Sequence, residues 1–513
     1  MKHFAKLDDP EGYANIYKDN ITRLIISAQS QTHYDIARAV KCMYNGEFAC
    51  ASIKNGTWYW FNDHRWNEDE HGTTLSTRLS TDVYCRFMEV AACFTAKASM
   101  EKDETEQARY ASIAKRLMAV ASKLKFVSFK NNILTELSHM FFIVKFMEKL
   151  DEKHHLLGFN NGVYDLDEML FREGKPDDYI SLSTGYDYTD EIDEAYRDHI
   201  LTFYDSIQDT KEMTDYTLLT LATSLHGTKR NQMVIFWIGI GANGKGTAVC
   251  LCQGALGGYM YCPAIELYTT KRKSSSQANP ELAKAKGVRL MVSTEPEEDE
   301  VIYVGLIKAV TGGDKQQARA LYVNPFEFIV QALPIIQMNK KPALSGTDGG
   351  IKRRLRNITF PYRFCDEPTK SKDKQMDKEL GNAFKNDVKY HQQFMLILLE
   401  RYRAYKESGW VINTPERVAK ETQDYLNENN HVANFIVENY DEDEKSMVNA
   451  TTAFTAFKET DEGKKMKMRA TSFYEAVVAL GYEVYITKER GVFRDKKVIA
   501  GLKYKSCLTD DYN

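Results

Sequence analysis

The segment GIGANGKGT, residues 239–247, constrains this chain more than any other stretch. The apolar run MVIFWI (233–238) leads into it and AVCLC follows it, which predicts a buried strand entering a glycine-rich turn that opens into a helix. Such a turn makes a phosphate cradle. Its glycines let successive backbone N–H groups converge on one anion, and the helix N-terminus behind them adds positive potential. Gly239, Gly241, Asn243, Gly244 and Gly246 would line the cradle and Lys245 would reach the β- and γ-phosphates of ATP. A hydroxyl is needed for Mg²⁺, and here it is Thr247, one place later than usual because Gly246 follows the lysine.

A phosphate loop creates a demand for acidic and polar groups on neighbouring strands. The run Val288 to Thr294 reads as a second buried strand ending in Glu295, with Glu297 two residues on. An acid in that place holds Mg²⁺ through water and orients the attacking water. A third apolar strand, Leu333 to Met338, ends in Asn339, whose amide can read the γ-phosphate or position water. Between these strands lies a helix carrying Lys308 that closes on TGGD, then a possible hairpin through Arg319, Tyr322 and Asn324-Pro325. The basic cluster Lys352, Arg353, Arg354 and Arg356 follows Gly349-Gly350 and precedes a final strand.

The remaining chain sets the surroundings. Its 513 residues allow roughly three to four domains. The net charge of -4 leaves any nucleic-acid contact to local basic patches. Nine scattered cysteines lack zinc spacing and fit a reducing compartment. No apolar signal core and no stretch of ~18 apolar residues occurs, so a soluble, intracellular protein with no membrane partner is expected. Asn55-Gly56 predicts a hairpin beside Trp58, Tyr59, Trp60, Phe61 and Trp66, rings that more commonly build a small core than stack on bases. An amphipathic helix is predicted over 98–126, small strands and turns over 156–188, and two helices over 190–230. Asp165-Leu166-Asp167 looks like a two-metal acid pair but has no third acid or triphosphate-binding partners, which favours a structural role. The polar stretch 269–287 reads as a surface loop ending in a short helix, and Asp441 to Glu444 as an acidic linker. Beyond it, two or three helices and a hairpin match a winged-helix module, and residues 464–505 hold eleven Lys/Arg against four Asp/Glu, a balance suited to DNA.

The ordered series NGKGT, RLMVSTEPEE, LIKAVTGGDKQQARALY, FEF, PIIQMN and GTDGGIKRRLRNITF resembles the superfamily 3 helicase core of viral, phage and plasmid primase-helicases of the poxvirus type. FNNGVYDL with PDDYIS is similar to the collar segment that precedes such cores, and TPERVAKETQDYLNENNHVANFI to the helical segment that follows, so the likeness covers about residues 150–440. The resemblance implies an α/β chain with an AAA+-like core. A mixed N-terminal region (1–150), a collar and oligomerisation region (151–230), the ATPase core (231–375), a helical extension (376–440) and a basic winged-helix-like domain (441–513) would follow in order. Lys245 and Thr247 would be the Walker A residues, Glu295 and Glu297 the Walker B acids, and Asn339 the sensor. Arg353 or Arg354 would be the finger inserted into a neighbour's ATP site, and Lys308, Lys315, Arg319 and Tyr322 would touch DNA in the channel of a homo-hexamer.

Taken together, these expectations describe an ATP- and Mg²⁺-dependent helicase on single-stranded or forked DNA, working for a virus or mobile element in its host's cytoplasm or replication site. No primase catalytic pattern is visible ahead of the collar, so a partner chain would make primers. Two alternatives stand beside it. GKGT also opens the loop of nucleotide kinases, and an origin-binding or scaffold protein can hold ATP without hydrolysing it.

Overall fold

A computed structural model describes residues 19–270, 280–297, 300–318, 326–466, 468–488 and 492–505. They form two compact units. One takes in the residues up to 191 with the short segments 255–259 and 326–328, the other the rest.

In the first unit, helices α1 (Asn20–Ser27) and α2 (His33–Met43) precede an antiparallel meander of β1 (Phe48–Ser52), β2 (Thr57–Asn62) and β3 (Arg65–Glu70). Asn55-Gly56 makes the expected turn, with Gly56 at φ +61°. Trp58, Tyr59 and Trp66 are buried. Trp58 packs edge-on against Phe141 at 6.0 Å and Trp66 against Phe146 at 5.1 Å between ring centroids, so the aromatic cluster is core. The long helix expected over 98–126 is divided. Helix α3 (Tyr84–Met100) ends first, and α4 (Glu104–Lys123) starts afresh because the Asp103 carboxylate accepts from the N–H groups of Thr105 and Glu106 at 2.8 and 3.2 Å. Helix α5 (Val127–Met140) follows, then a second antiparallel meander of β4 (Leu156–Phe159), β5 (Gly162–Asp165) and β6 (Leu170–Arg172). Asp165 is used in its turn: Oδ1 accepts from the N–H groups of Asp167 and Glu168 at 3.1 and 3.2 Å, the structural role that the sequence favoured.

The second unit opens with α6 (Glu194–Ile207) and α7 (Lys211–Thr223), which pack against the helix Val388–Glu407 and precede a five-stranded sheet. Its strands are β7 (Val234–Ile238), β8 (Met260–Tyr261), β9 (Leu290–Ser293), β10 (Leu333–Met338) and β11 (Leu355–Thr359), all parallel in the order β11-β7-β10-β9-β8. Strands covered on both faces read as unbroken apolar runs, as VIFWI and LMVS do. Because β10 lies between β7 and β9, Met338 pairs opposite Ile238 and Ile336 opposite Ser293, and three strand ends meet along one edge. The connecting helices include α8 (Lys245–Leu256), α9 (Val304–Gly312) and the short α10 (Gly349–Lys352). After them come α11 (Val388–Glu407) and α12 (Glu416–Glu428). Helix α12 closes the open edge of β11: Thr422 Oγ1 accepts from the Asn357 N–H at 2.9 Å, and Thr359 Oγ1 donates to Glu421 at 2.6 Å.

The chain then builds a small module from α13 (His431–Asn439), β12 (Tyr440–Asn449), α14 (Ala450–Glu459), α15 (Asp461–Met466), α16 (Ala470–Ala479), β13 (Val484–Ile486) and β14 (Lys497–Tyr504). Its antiparallel sheet has the order β12-β14-β13 over a core of Phe435, Phe457, Phe473 and Leu502. The acidic run 441–444 is therefore no linker. It is part of a strand, with Tyr440 buried at its head, Asp441 opposite Lys503 and Glu442 opposite Leu502. Helix α13 supplies Val432, Phe435 and Ile436 to the same core, so the module begins ahead of residue 441.

Candidate functional site

The glycine-rich turn leaves β7 and enters α8, as the flanking apolar runs require. Two glycines are forced by space. A Cβ on Gly239 would lie 2.6 Å from the Phe360 carbonyl oxygen, and one on Gly244, at φ +86°, would lie 2.4 Å from Ile207 Cγ2. Gly241 and Gly246 face open space, which leaves their backbone accessible. Asn243 is buried, its Oδ1 accepting from the Lys245 N–H at 3.3 Å while its Nδ2 has no partner. Thr247 is half-buried on the first turn of α8.

Lys245 is 6% exposed and reaches across the strand ends. Its ammonium donates to the Gly239 carbonyl and, at 3.3 Å, to Asn339 Oδ1. Asn339 in turn donates to both carboxylate oxygens of Glu295, from its backbone N–H at 2.8 Å and its side-chain amide at 2.7 Å. Residues far apart in sequence thus form one connected chain, because β10 places its C-terminal end between those of β7 and β9. Burial pushes the Lys245 ammonium down to about 8, with Glu295 acting in the opposite direction. Glu297 is exposed in the following turn, where its N–H donates to Glu300 at 3.0 Å. Among the described residues no group of three His, Cys, Asp or Glu side chains converges as a metal cage. Any divalent ion here would depend on one or two side chains and the phosphates themselves, the usual manner for Mg²⁺.

The basic cluster sits at the opposite end of the sheet. Leu355 pairs with Val234 and Thr359 with Ile238, so Arg353 lies beyond the start of β7, at least roughly 16 Å from Gly239 at about 3.3 Å per residue. That is outside the reach of one arginine side chain. The two arginines also differ. Arg354 is 7% exposed, with Nε donating to Thr311 Oγ1 at 3.0 Å and Nη1 to the Gly350 carbonyl at 2.8 Å, whereas Arg353 is exposed. Arg356, grouped with them by sequence, belongs to β11 and donates to the carbonyls of Arg353 and Leu355. Lys308 on α9 is ion-paired with Asp348, and Lys315 is exposed on the short strand Lys315–Ala318. Arg319, Tyr322 and the turn at 323–325 lie outside the described residues, as do residues 271–279 of the loop 269–287.

Two residues were missed by sequence reasoning. Ser293, the last residue of β9, holds a buried hydroxyl with no partner beside the Glu295 chain. Its place two residues before the acid was the available signal. Asp348 caps α10 by accepting from the N–H of Gly350 at 2.9 Å and also holds Lys308. The Asp-Gly-Gly sequence was a readable helix start.

Residues 37–210 match the family described as D5 N terminal like. A protein of Acanthamoeba polyphaga mimivirus, named as a candidate helicase, is 35% identical over 434 residues, which are 83% of this chain and 45% of that protein. A Frog virus 3 protein of the same description is 23% identical over 527 residues, covering 83% of this chain and 54% of its own. An African swine fever virus protein, named as a candidate primase, is 22% identical over 392 residues, 72% of this chain and 40% of that protein. The chain spans about half the length of the curated relatives it matches. Among solved structures, an apo form of the C-terminal region of NrS-1 aligns with a TM-score of 0.34 at 11% identity, covering 68% of this chain and 82% of that one. No helix among the described residues is long and apolar enough to cross a membrane.

Proposed function

The chain belongs to the viral D5-type primase-helicase family, and on that premise we propose that it is an ATP-driven DNA helicase with a superfamily 3, AAA+-like core acting as a homo-hexameric ring. The observation that carries this reading is the hydrogen-bonded chain from Lys245 through Asn339 to Glu295 beside a glycine cradle. A buried ammonium at the start of α8, with an amide and a carboxylate just past the ends of β10 and β9, would supply the parts of a triphosphate-hydrolysing site.

The cradle fits a triphosphate. Gly241 and Gly246 leave their backbone open, and Asn243 Nδ2 and Ser293 Oγ are buried polar atoms awaiting partners. Lys245 would exchange its carbonyl and amide partners for phosphate oxygens, and Asn339 would then be released to orient the γ-phosphate. Glu295, held at both oxygens by Asn339, would turn to the attacking water and accept its proton. Thr247 and Glu295, with Glu297 nearby, are the residues we assign to Mg²⁺, which neutralises charge on the β- and γ-phosphates when bound.

The distance of Arg353 from its own cradle supports a role in a neighbouring copy, where its charge would stabilise the transition state. Arg354 is spent on Thr311 and Gly350, so the finger is assigned to Arg353, and Arg354 to holding α9 and α10 behind it. Hydrolysis would then depend on the ring. Lys308 and Lys315, with Arg319 and Tyr322, are proposed to follow a single strand through the channel. Lys308 would have to leave Asp348 to do so. Primer synthesis is assigned to another catalytic unit, because Asp165 is committed to its turn. We read the final module, with its three-stranded antiparallel sheet in the order β12-β14-β13, as winged-helix-like.

Strand separation on a forked substrate, measured with ATP hydrolysis, tests the reading. A helicase hydrolyses ATP faster with DNA and releases the strand. A nucleotide kinase instead needs a second nucleotide as acceptor, and a scaffold protein does neither.

A further inference from the structure

We propose that the corner between α4 and α5 in the first unit binds single-stranded nucleic acid, with the Phe126 ring stacked on a base and the lysines around it on the phosphates. None of these residues belongs to the ATP site or to the channel set assigned above, so the surface stands independently of the helicase reading.

Residues 107–135 contain six Lys/Arg and no Asp or Glu. Two of the six are engaged away from the corner. Arg109 is ion-paired with Glu106 at 3.1 Å, and Lys115 lines the groove between α3 and α4 together with Glu104. The other four gather towards the turn. Arg116 and Lys123 are seven residues apart and share one face of α4, while Lys125 and Lys130 flank the start of α5. The contacts of the three lysines are neutral. Lys123 donates to Gln31 Oε1 at 3.0 Å, the Lys125 ammonium stands 3.8 Å over the Tyr84 ring, and Lys130 donates to the Ser76 carbonyl at 3.5 Å. These contacts hold the ammonium groups in place and leave their charge unbalanced. The acid beside Gln31, Asp35, accepts from the hydroxyls of Ser30 and Thr32 at 2.6 and 2.9 Å, and the acid beside Tyr84, Asp82, accepts from the Tyr44 hydroxyl at 3.4 Å.

The start of α5 also runs against the preference of a helix. A helix N-terminus favours Asp or Glu in its first turn. Helix α5 has no acid there and no side-chain cap at Phe126, while Lys125 precedes it and Lys130 follows one turn in. Cations around such a start repel its dipole, and a bound anion relieves both. Phe126 is 63% exposed, whereas Phe129 packs edge-on against His33 at 5.0 Å between ring centroids. An exposed ring among positioned cations is the pairing that single-strand binding uses, the ring for a base and the cations for the backbone. A duplex keeps its bases stacked inside and would meet the lysines without the ring. An acidic protein segment is the other occupant that the charge admits, and base stacking separates it from a nucleic acid.

The test is fluorescence anisotropy of the full chain on a labelled 20-nucleotide oligothymidylate without ATP, over a salt series, beside a blunt 20-base-pair duplex. The triple substitution Lys123→Gln, Lys125→Gln, Lys130→Gln keeps most of each aliphatic stem and should reduce the log–log salt slope on the single strand by about 2. Phe126→Leu keeps an apolar side chain and should weaken single-strand binding about 5- to 100-fold with the slope unchanged, and Phe126→Trp should retain the parent's affinity. On the duplex, Phe126→Leu should change affinity less than about 2-fold. An unchanged slope in the triple variant overturns the proposal, as does unchanged single-strand affinity in Phe126→Leu. An equal loss on the duplex overturns it too, because the ring is then an apolar contact and not a stacking platform. Absence of oligothymidylate binding by the intact chain also overturns it and leaves the acidic protein segment. Stimulation of the parent's ATP hydrolysis by DNA reports on the motor separately, so a failed corner and a failed helicase reading give different readouts.

Discussion

Asn339 engages both carboxylate oxygens of Glu295, through its backbone N–H at 2.8 Å and its side-chain amide at 2.7 Å. Removing the side chain should therefore leave Glu295 held at one oxygen by the backbone N–H, and Lys245 with the Gly239 carbonyl as its remaining acceptor. Asn339→Ala is expected to bind ATP within a few-fold of the parent and to hydrolyse it ~10²-fold more slowly, since a lost polar contact to the reacting centre costs about 2.7–4 kcal/mol. Binding measured beside single-turnover hydrolysis checks this. Equal losses in both would make Asn339 a binding residue.

Lys245 should couple nucleotide binding to protons. Burial holds its ammonium at about 8, whereas a lysine in the unfolded chain titrates near 10.4. Between those values the unfolded state binds more protons, so the free protein's stability should rise with pH across that window. A polyphosphate favours the ammonium, so binding at pH 8 should take up roughly half a proton, and affinity should fall as pH rises beyond 8. Calorimetry in two buffers of different ionisation enthalpy measures the uptake. Lys245→Met should abolish it together with ATP turnover.

The two arginines should separate into different phenotypes. Arg354→Ala leaves Thr311 and the Gly350 carbonyl without their donors and should lower stability by about 1–3 kcal/mol. Arg353→Ala, on an exposed side chain, should leave denaturant midpoints unchanged and stop turnover. The reverse pattern would return the finger to Arg354.

Adjacent loop glycines should also differ. Gly244→Ala meets Ile207 at φ +86° and is expected to cost about 2 kcal/mol or more. Gly246→Ala meets nothing within 4 Å and should unfold at the same midpoint. Chemical denaturation of both variants decides it.

The candidate site was legible in the sequence because its parts are local: a strand, a glycine turn, and polar residues near strand ends. Glu295 and Asn339 were both anticipated, but not their contact, which depends on β10 lying between β7 and β9. Apolar runs do not specify strand order. The role of Arg354 was hidden for a similar reason, since three arginines in four positions look alike until α9 brings Thr311 to one of them. The run 441–444 misled because its acids hide a strand whose anchors, Tyr440 and Val448, lie outside the run. Pairing with β14 overrides the local charge.

Mixing two inactive variants tests most directly whether adjacent copies share each ATP site. Arg353→Ala protein keeps its cradle and Lys245→Ala protein keeps its finger. An equal mixture should recover hydrolysis at roughly a quarter of its interfaces, where an intact cradle meets an intact finger. Recovery of DNA-stimulated turnover on mixing is the expected result. No recovery, or full turnover by Arg353→Ala protein alone, would contradict a site built from two copies of the chain.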